Sequence, residues 1–417
     1  MTARRTTRRV TAPKGTRAGG GANGRANGHG AANGHGNGRT NGHGAADNHR
    51  ARRRTPVTAA APLRGALIGF GTIAATGHVP AYLRMPDVRI EAVCDITPAR
   101  REAAQRLIPG MRTYGSYPEL LAAEKLDFVD IATPPNVHAE IAHAALAQGL
   151  HVLCEKPLTL DSRSALRLLE AARRHGRVVM PCHNYVHAPV IRAMREIIGA
   201  GTIGTVRSVT LSTFRPTHAR GVPEWNPHWR RDPKLGGGGI LMDHGPHSCY
   251  VMFLLMGGYP TAVSARGFTL DPEYLTEDNS EMTLRFPHGI AQLHLSWTAA
   301  LRRVVYTVHG TTGALVVADD ALEIVTPAGV ERRSIRSRFE DASHSTWFAP
   351  LFAEFRQAID TRTPVPVQAR EAAFTMGILE SAYRSASQNG REQPLDPTAI
   401  GGRPRRARPA VIAETPN

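Results

Sequence analysis

RGALIGFGTIA, residues 64–74, carries an apolar run that ends on Gly69-Phe70-Gly71-Thr72-Ile73-Ala74, a G-x-G-x-x-A turn. The run reads as a buried strand, and the stretch after Ile73 as a helix to about Arg84. In such a turn the first glycine permits the tight bend. The second lets the backbone approach a pyrophosphate seated on the helix N-terminus, and alanine serves as the third small residue. Alone the motif is weak; its context strengthens it. Asp95 closes the next apolar run, RIEAVCD (89–95), 24 residues after Gly71, where a carboxylate takes ribose hydroxyls. Gly69, Gly71, Thr72, Ile73 and Asp95 are therefore expected to hold a dinucleotide. A carboxylate at Asp95 repels a 2′-phosphate and favours NAD, while Arg100 and Arg101 keep NADP open.

Working outward, KLDFVDIAT (125–133), GLHVLCE (149–155) and GRVVMPC (176–182) read as further strands, separated by helical patterns at 138–148 and 161–175. Alternating strand and helix with near-continuous apolar strands predicts a parallel, doubly wound α/β sheet covered on both faces. The second half differs. After a helix at 189–199, strand patterns follow at 205–214, 262–270, 280–286, 290–297, 303–309 and 313–318, with a hairpin turn at FPHGI (286–290). Helical patterns return at 349–361 and 370–387. The expected division is a tail over 1–62, a dinucleotide-binding domain over 63–183, a second domain over 184–395 and a basic flexible tail over 396–417.

The formal net charge is +16, but it sits at the ends. Residues 1–62 hold 12 Lys/Arg against one acid, and residues 401–417 hold four Arg against one Glu, which leaves +2 for residues 63–400. The folded body is thus not a nucleic-acid binder by charge, and any such contact is confined to the tail. The N-terminal tail repeats Asn-Gly and Gly-His with almost no apolar residues and predicts no packed structure. Its paired arginines are not followed by an apolar stretch of the kind an export signal needs. No apolar run is long enough to span a bilayer. Cys94, Cys154, Cys182 and Cys249 lie far apart without a C-x-x-C pair, and read as small core residues of a protein in a reducing, cytoplasmic compartment.

The loop TPPNVH (133–138) follows a strand and falls at the carboxyl edge of the sheet, where ligands bind. Thr133, Pro134, Asn136 and His138 are placed there, His138 with an equal claim to being a polar residue at a helix start. LCEKPLTL (153–160) ends the next strand on Glu155 and Lys156 at the same edge, with Pro157 fixing the turn. A lysine in that position can donate to a substrate oxygen. GGGGILMDHGPH (236–247) places Asp243 and His247 four apart, so that on a helix both project to one side and the carboxylate can orient the imidazole. Pro246 suits the first turn of a helix running to about Met256. A competing reading takes Asp243, His244 and His247 as metal ligands, but no further anchored ligand cluster appears, and no metal is expected.

Together the G-x-G-x-x-A turn, TPPNVHAEIAHAALAQGLHVLCEKPLTL and GGGGILMDHGPH resemble the Gfo/Idh/MocA family of oxidoreductases, over about residues 64–390. The resemblance implies an N-terminal Rossmann domain and a C-terminal α/β domain with a large, mostly antiparallel open sheet. It implies a homodimer or homotetramer formed through the sheet's free face, and a nicotinamide-dependent dehydrogenase of sugars, cyclitols or their derivatives. It also gives catalytic roles to Lys156, Asp243 and His247, and a nicotinamide or substrate contact to Asn184 in CHNYVHAP (182–189). Tyr185, Trp229, Arg230 and His244 are further candidates for the substrate, the arginine-rich loop 215–235 leaving an anionic substrate open. Two alternatives remain on the same scaffold: a redox glycosidase that retains its NAD, and a non-catalytic sensor of cofactor or sugar.

Overall fold

The computed structural model describes residues 62–337, 339 and 344–400. The expectations for the N-terminal tail and for residues 401–417 lie outside the described residues.

Six parallel strands form the first sheet: β1 (Leu63–Ile68), β2 (Val88–Cys94), β3 (Arg112–Tyr114), β4 (Phe128–Ile131), β5 (His151–Cys154) and β6 (Val179–Pro181), in the order β3-β2-β1-β4-β5-β6. This order reverses at β1, so the carboxyl ends of β1 and β4 flank the crevice where open α/β sheets take their ligands. The connecting helices are α1 (Val79–Tyr82), α2 (Pro98–Leu107), α3 (Tyr117–Ala123), α4 (His138–Ala147) and α5 (Ser162–His175). Local signals bound some of them well. Asp161 accepts the Ser164 N–H at the start of α5, and Gly176 ends it at φ 61°. The helix expected from Ile73 is instead a π-helical turn over Ala74–His78 followed by α1, with Pro80, which has no N–H to give, at its second residue. Three-residue β3 and the short α3 were not expected, because neither carries a strong period.

The second sheet has nine strands in the order β14-β13-β12-β11-β7-β10-β9-β8-β15. Its main strands are β7 (Val206–Phe214), β8 (Ala262–Phe268), β9 (Asn279–Phe286), β10 (Gly289–Ser296), β11 (Arg303–Gly310) and β12 (Ala314–Ala318), extended by β13 (Ala321–Thr326), β14 (Gly329–Ser334) and β15 (Gln393–Pro394). Only the β10–β7 pair is parallel. Along β7 and β9 buried residues alternate with more accessible ones, the signature of a sheet covered on one face. The cover is α6 (Pro189–Gly199), α8 (Ile240–Met256) and part of α10 (Val367–Ser387); α7 (Pro233–Gly236) is a single turn before α8, and α9 (Ser345–Asp360) precedes α10.

The C-terminal helices also complete the first domain. Phe348, Leu351, Phe352 and Phe355 of α9 share a core with Leu67, Val93 and Phe128, while Ala369, Ala372 and Ala373 of α10 pack with Val152 and Leu168. A parallel sheet must be covered on both faces, and the four-residue α1 is too short to cover one alone. Residues well beyond 183 thus add to the core of the first sheet. All four cysteines are buried and free. Among the described residues no helix is long and apolar enough to cross a membrane.

Candidate active site

One cavity of about 820 Å³ runs from the G-x-G-x-x-A turn to the N-terminal part of α8. At the first end Gly69 has φ +93°, and a Cβ there would meet the Ala132 backbone at 2.7 Å, so only glycine allows β1 and β4 to deliver the turn so closely. A Cβ on Gly71 would meet nothing within 4 Å, which leaves its backbone open to a ligand. Thr72, Ile73 and Asp95 line the same end. The Asp95 carboxylate accepts the Phe70 N–H at 2.7 Å and the Thr97 N–H at 2.8 Å, which fixes it while each oxygen keeps a lone pair for a hydroxyl. Arg100 is engaged with the Phe70 carbonyl and Glu224, and Arg101 with the Asp95 carbonyl.

The middle of the cavity is lined by Thr133, Pro134, Asn136, Glu155 and Asn184. Thr133 Oγ1 and Asn184 Oδ1 are buried and have no hydrogen-bond partner among the described residues. Such atoms cost stability unless a ligand satisfies them. With the open backbone at Gly71 and the fixed carboxylate of Asp95, they make this cavity a fit for a nicotinamide dinucleotide. His138 does not line it. Both its ring nitrogens lie 2.9 Å from backbone carbonyls, of Pro157 and Thr133, so it braces the TPP loop against the Lys156-Pro157 turn from behind. Burial depresses this imidazole more than the two carbonyls raise it. The expectation of a cofactor contact at His138 is corrected accordingly.

Lys156, Asp243, His244 and His247 meet at the far end, with Tyr185, Trp229 and Arg230. Helix α8 begins at Ile240, earlier than Pro246 implied, because its cap is tertiary: Glu277 accepts the N–H groups of Gly239 and Leu241, each at 3.1 Å. A Cβ on Gly239 would meet the Glu277 carbonyl at 1.9 Å, so the glycine run is needed for that approach. Asp243 and His247 thus stand one turn apart, as their spacing requires, but they are not partners. Lys156 Nζ donates to the Asp243 carbonyl at 2.8 Å and reaches its Oδ1 at 3.4 Å. Arg230 Nε also donates to Oδ1, at 3.2 Å, while its guanidinium lies over the Trp229 ring. Burial works against the Asp243 carboxylate, yet Lys156 and Arg230 hold it well below the usual carboxylate range.

His247 instead turns Nδ1 to the Tyr250 hydroxyl at 2.6 Å and stacks on Tyr185 with ring centroids 4.1 Å apart. Burial, with the Lys156 charge nearby, keeps its imidazole well below 6.5, and His244 behaves alike through burial and Arg215. The Asp243–His247 pairing expected from the spacing is replaced because two cations outcompete a neutral ring for one carboxylate.

Several lining residues escaped sequence reasoning: Arg215 just past β7, Arg302 just before β11, His218 and His344. Tyr250, which holds His247, also accepts the Tyr185 N–H at 3.1 Å. For Arg215 and Arg302 the sequence signal is a polar residue beside a strand end, which is common, and His218, His344 and Tyr250 carry none.

The oxidoreductase-family NAD-binding Rossmann model matches residues 63–183, and the GFO/IDH/MocA C-terminal domain model matches residues 191–316. The chain is 31% identical over 256 residues to a 1,5-anhydro-D-fructose reductase of Ensifer adhaerens, covering 61% of this chain and 75% of the relative. It is 30% identical over 285 residues to a dTDP-3,4-didehydro-2,6-dideoxy-alpha-D-glucose 3-reductase of Streptomyces antibioticus, covering 67% and 81%. Among solved structures, GenD2 from gentamicin A biosynthesis in complex with NAD superposes with a TM-score of 0.70 at 25% identity, over 81% of this chain and 97% of GenD2.

Proposed function

The chain belongs to the Gfo/Idh/MocA family of oxidoreductases, an NAD-dependent dehydrogenase by its domains, and from that premise we propose that it oxidises a hydroxyl-bearing carbon of a sugar, cyclitol or sugar derivative. The observation that carries this reading is the meeting of Lys156 with a neutral His247 at the end of a cavity that begins at Gly69 and Asp95. When bound, NAD supplies the hydride acceptor.

The chain's own residues handle the oxygen and the proton. Lys156, oriented by the Asp243 carbonyl and carboxylate, donates to the substrate oxygen and stabilises the negative charge it gains. His247 takes the hydroxyl proton on Nε2 as the carbonyl forms. That role needs one tautomer: Nδ1–H must donate to Tyr250 Oη, because a Tyr250 hydroxyl donating to Nδ1 would leave Nε2 already protonated. The reverse reaction starts from the imidazolium, whose Nε2–H gives its proton to the carbonyl oxygen as the hydride arrives and which returns to the same Nδ1–H tautomer. Tyr250 Oη thus accepts from Nδ1–H in both directions and holds the ring in the one working tautomer. Asp243 keeps Lys156 and Arg230 in register and does not touch the imidazole.

A second observation favours an acidic substrate. Arg215 and Arg302 both line the substrate end, and Arg215 Nε is buried with no partner among the described residues. A uronate, sugar phosphate or nucleotide sugar would satisfy it. The accessible face of the nine-stranded sheet supports a homodimer or homotetramer, checked by light scattering, and four free buried cysteines support a cytoplasmic setting. The test is NADH formation by the purified protein across inositols, aldoses, uronates, sugar phosphates and nucleotide sugars, with Lys156→Met alongside. One active class, lost in the variant while NAD still binds, is the expected result. Loss of turnover and NAD binding together would make Lys156 structural, and no activity with any class would move the reading to the redox glycosidase or the sensor.

A further inference from the structure

Behind the strand end that carries Lys156 lies a buried ionic cluster. His78 ends the π-helical turn and is fully buried. Its Nδ1 lies 2.6 Å from Asp130 Oδ2 and its Nε2 3.1 Å from Glu155 Oε1. Tyr82 donates its hydroxyl to the same Asp130 oxygen at 2.9 Å. Among the described residues the buried Cys182 and Cys154 thiols also interact with these two carboxylates, and α9 presents the Phe348 and Phe352 rings. With a carboxylate oxygen at each ring nitrogen, both nitrogens must carry hydrogen, because a neutral ring would set a lone pair against an anion.

We propose that His78 is a positioning residue for Lys156: as an imidazolium clamped between Asp130 and Glu155, it fixes the Glu155 carboxylate, whose second oxygen accepts the Lys156 N–H at 3.0 Å. Charges then alternate from the first core to the substrate end, through Asp130, His78, Glu155, Lys156, Asp243 and Arg230. Stability alone does not account for the cluster. Buried ion pairs can often be replaced by apolar groups at no loss, and Asp130 Oδ1 is left with no partner among the described residues. Its place gives the reason: Glu155 also lines the cavity, so the clamp holds one wall of the site and the backbone of the lysine. Burial would depress the imidazole, but Asp130 and Glu155 raise it to about 10, and His78 in turn helps hold Glu155 down against burial.

The kinetic arm of the test rests on the dehydrogenase reading; the spectroscopic arm does not. In the full-length protein, His78→Gln is expected to lower kcat on the order of tenfold at neutral pH, as loss of an outer support does, with KM for NAD nearly unchanged. Freed from its clamp, Glu155 protonates at higher pH, so the acid limb of kcat moves up and raising the pH recovers much of the rate. Glu155→Gln, which keeps the volume, should show the low kcat without the recovery. With [15N]histidine, wild type at pH 8 should show two N–H signals for His78, identified by their loss in His78→Gln. With [15N]lysine, the Lys156 ammonium signal, identified by its loss in Lys156→Met, should shift in His78→Gln.

A neutral His78 ring at pH 8, an unmoved Lys156 signal, or a loss of kcat by the same factor at every pH would overturn the proposal. So would a stoichiometric metal in the purified protein, removed by chelator, since His78, Asp130 and Cys182 offer three ligand atoms within 4.8 Å of one another. If wild type oxidises no sugar, the function reading has failed, and the nitrogen signals alone decide the clamp.

Discussion

Two buried histidines serve the neighbourhood of Lys156, and their surroundings drive them apart. His78 sits between two carboxylates and is raised to about 10; His247 sits among Tyr185, Tyr250 and nearby cations and falls well below 6.5. Burial pushes both down and is the main cause at His247. What separates the two is the pair of carboxylates that overcomes it at His78. One region thus keeps a fixed cation that holds geometry, and the other keeps a neutral ring able to accept a proton.

The largest effect that can break this contrast is at His247. Replacement by Gln should cost about 10²–10⁴-fold in kcat, the range for a lost general base, with NAD affinity kept. In wild type, the acid limb due to His247 should lie well under pH 6.5, and a limb near 6.5 or higher would mean an ordinary imidazole. Next in size is Asp130→Asn. Breaking one partner of a buried pair costs about 3–5 kcal/mol, so its midpoint in urea should fall clearly, while His247→Gln, which disturbs one buried hydrogen bond worth roughly 1 kcal/mol, should lower it less.

A smaller effect comes from Tyr250→Phe. It removes two buried hydrogen bonds, to His247 and from the Tyr185 N–H, each worth roughly 1 kcal/mol, and frees the tautomer of His247, so kcat should drop by about tenfold or less, in both reaction directions. No effect in either direction would show that Tyr250 does not set the tautomer of His247. The smallest is a pH effect on stability. Because the folded value of His78 is raised from 6.5 to about 10, its contribution is complete below pH 6.5 and is lost as pH rises toward 10. Glu155 acts oppositely: lowered on folding, it contributes above its ordinary value of 4.5 and is lost on further acidification. Thermal melting from pH 6 to 10 should therefore decline more in wild type than in His78→Gln.

The dinucleotide end was legible in the sequence because its parts are local. A strand, a glycine turn and an acid at the next strand end form one unit, and Gly69, Gly71 and Asp95 take the geometry their spacing implies. The substrate end was legible in its membership but not in its pairings. Asp243 and His247 share a helix face, yet the carboxylate goes to Lys156, 87 residues away, and to Arg230. The start of α8 was misjudged for the same reason, since Glu277 caps it from another strand's approach. Asp130 did leave a signal, an acid inside the apolar run FVDIA, and a charge in a buried parallel strand asks for a partner. That the partner is His78, 52 residues earlier, required the fold.

The central claim is that this site oxidises a carbinol carbon while Lys156 and His247 handle the oxygen and its proton. Its most direct test uses an active sugar deuterated at the oxidised carbon, with the mass of the cofactor followed over time. The account predicts deuterated reduced cofactor accumulating in step with the keto product, slowly in His247→Gln and not at all in Lys156→Met. Cofactor that remains oxidised while the sugar is cleaved, or deuterium that returns to the product, would contradict it.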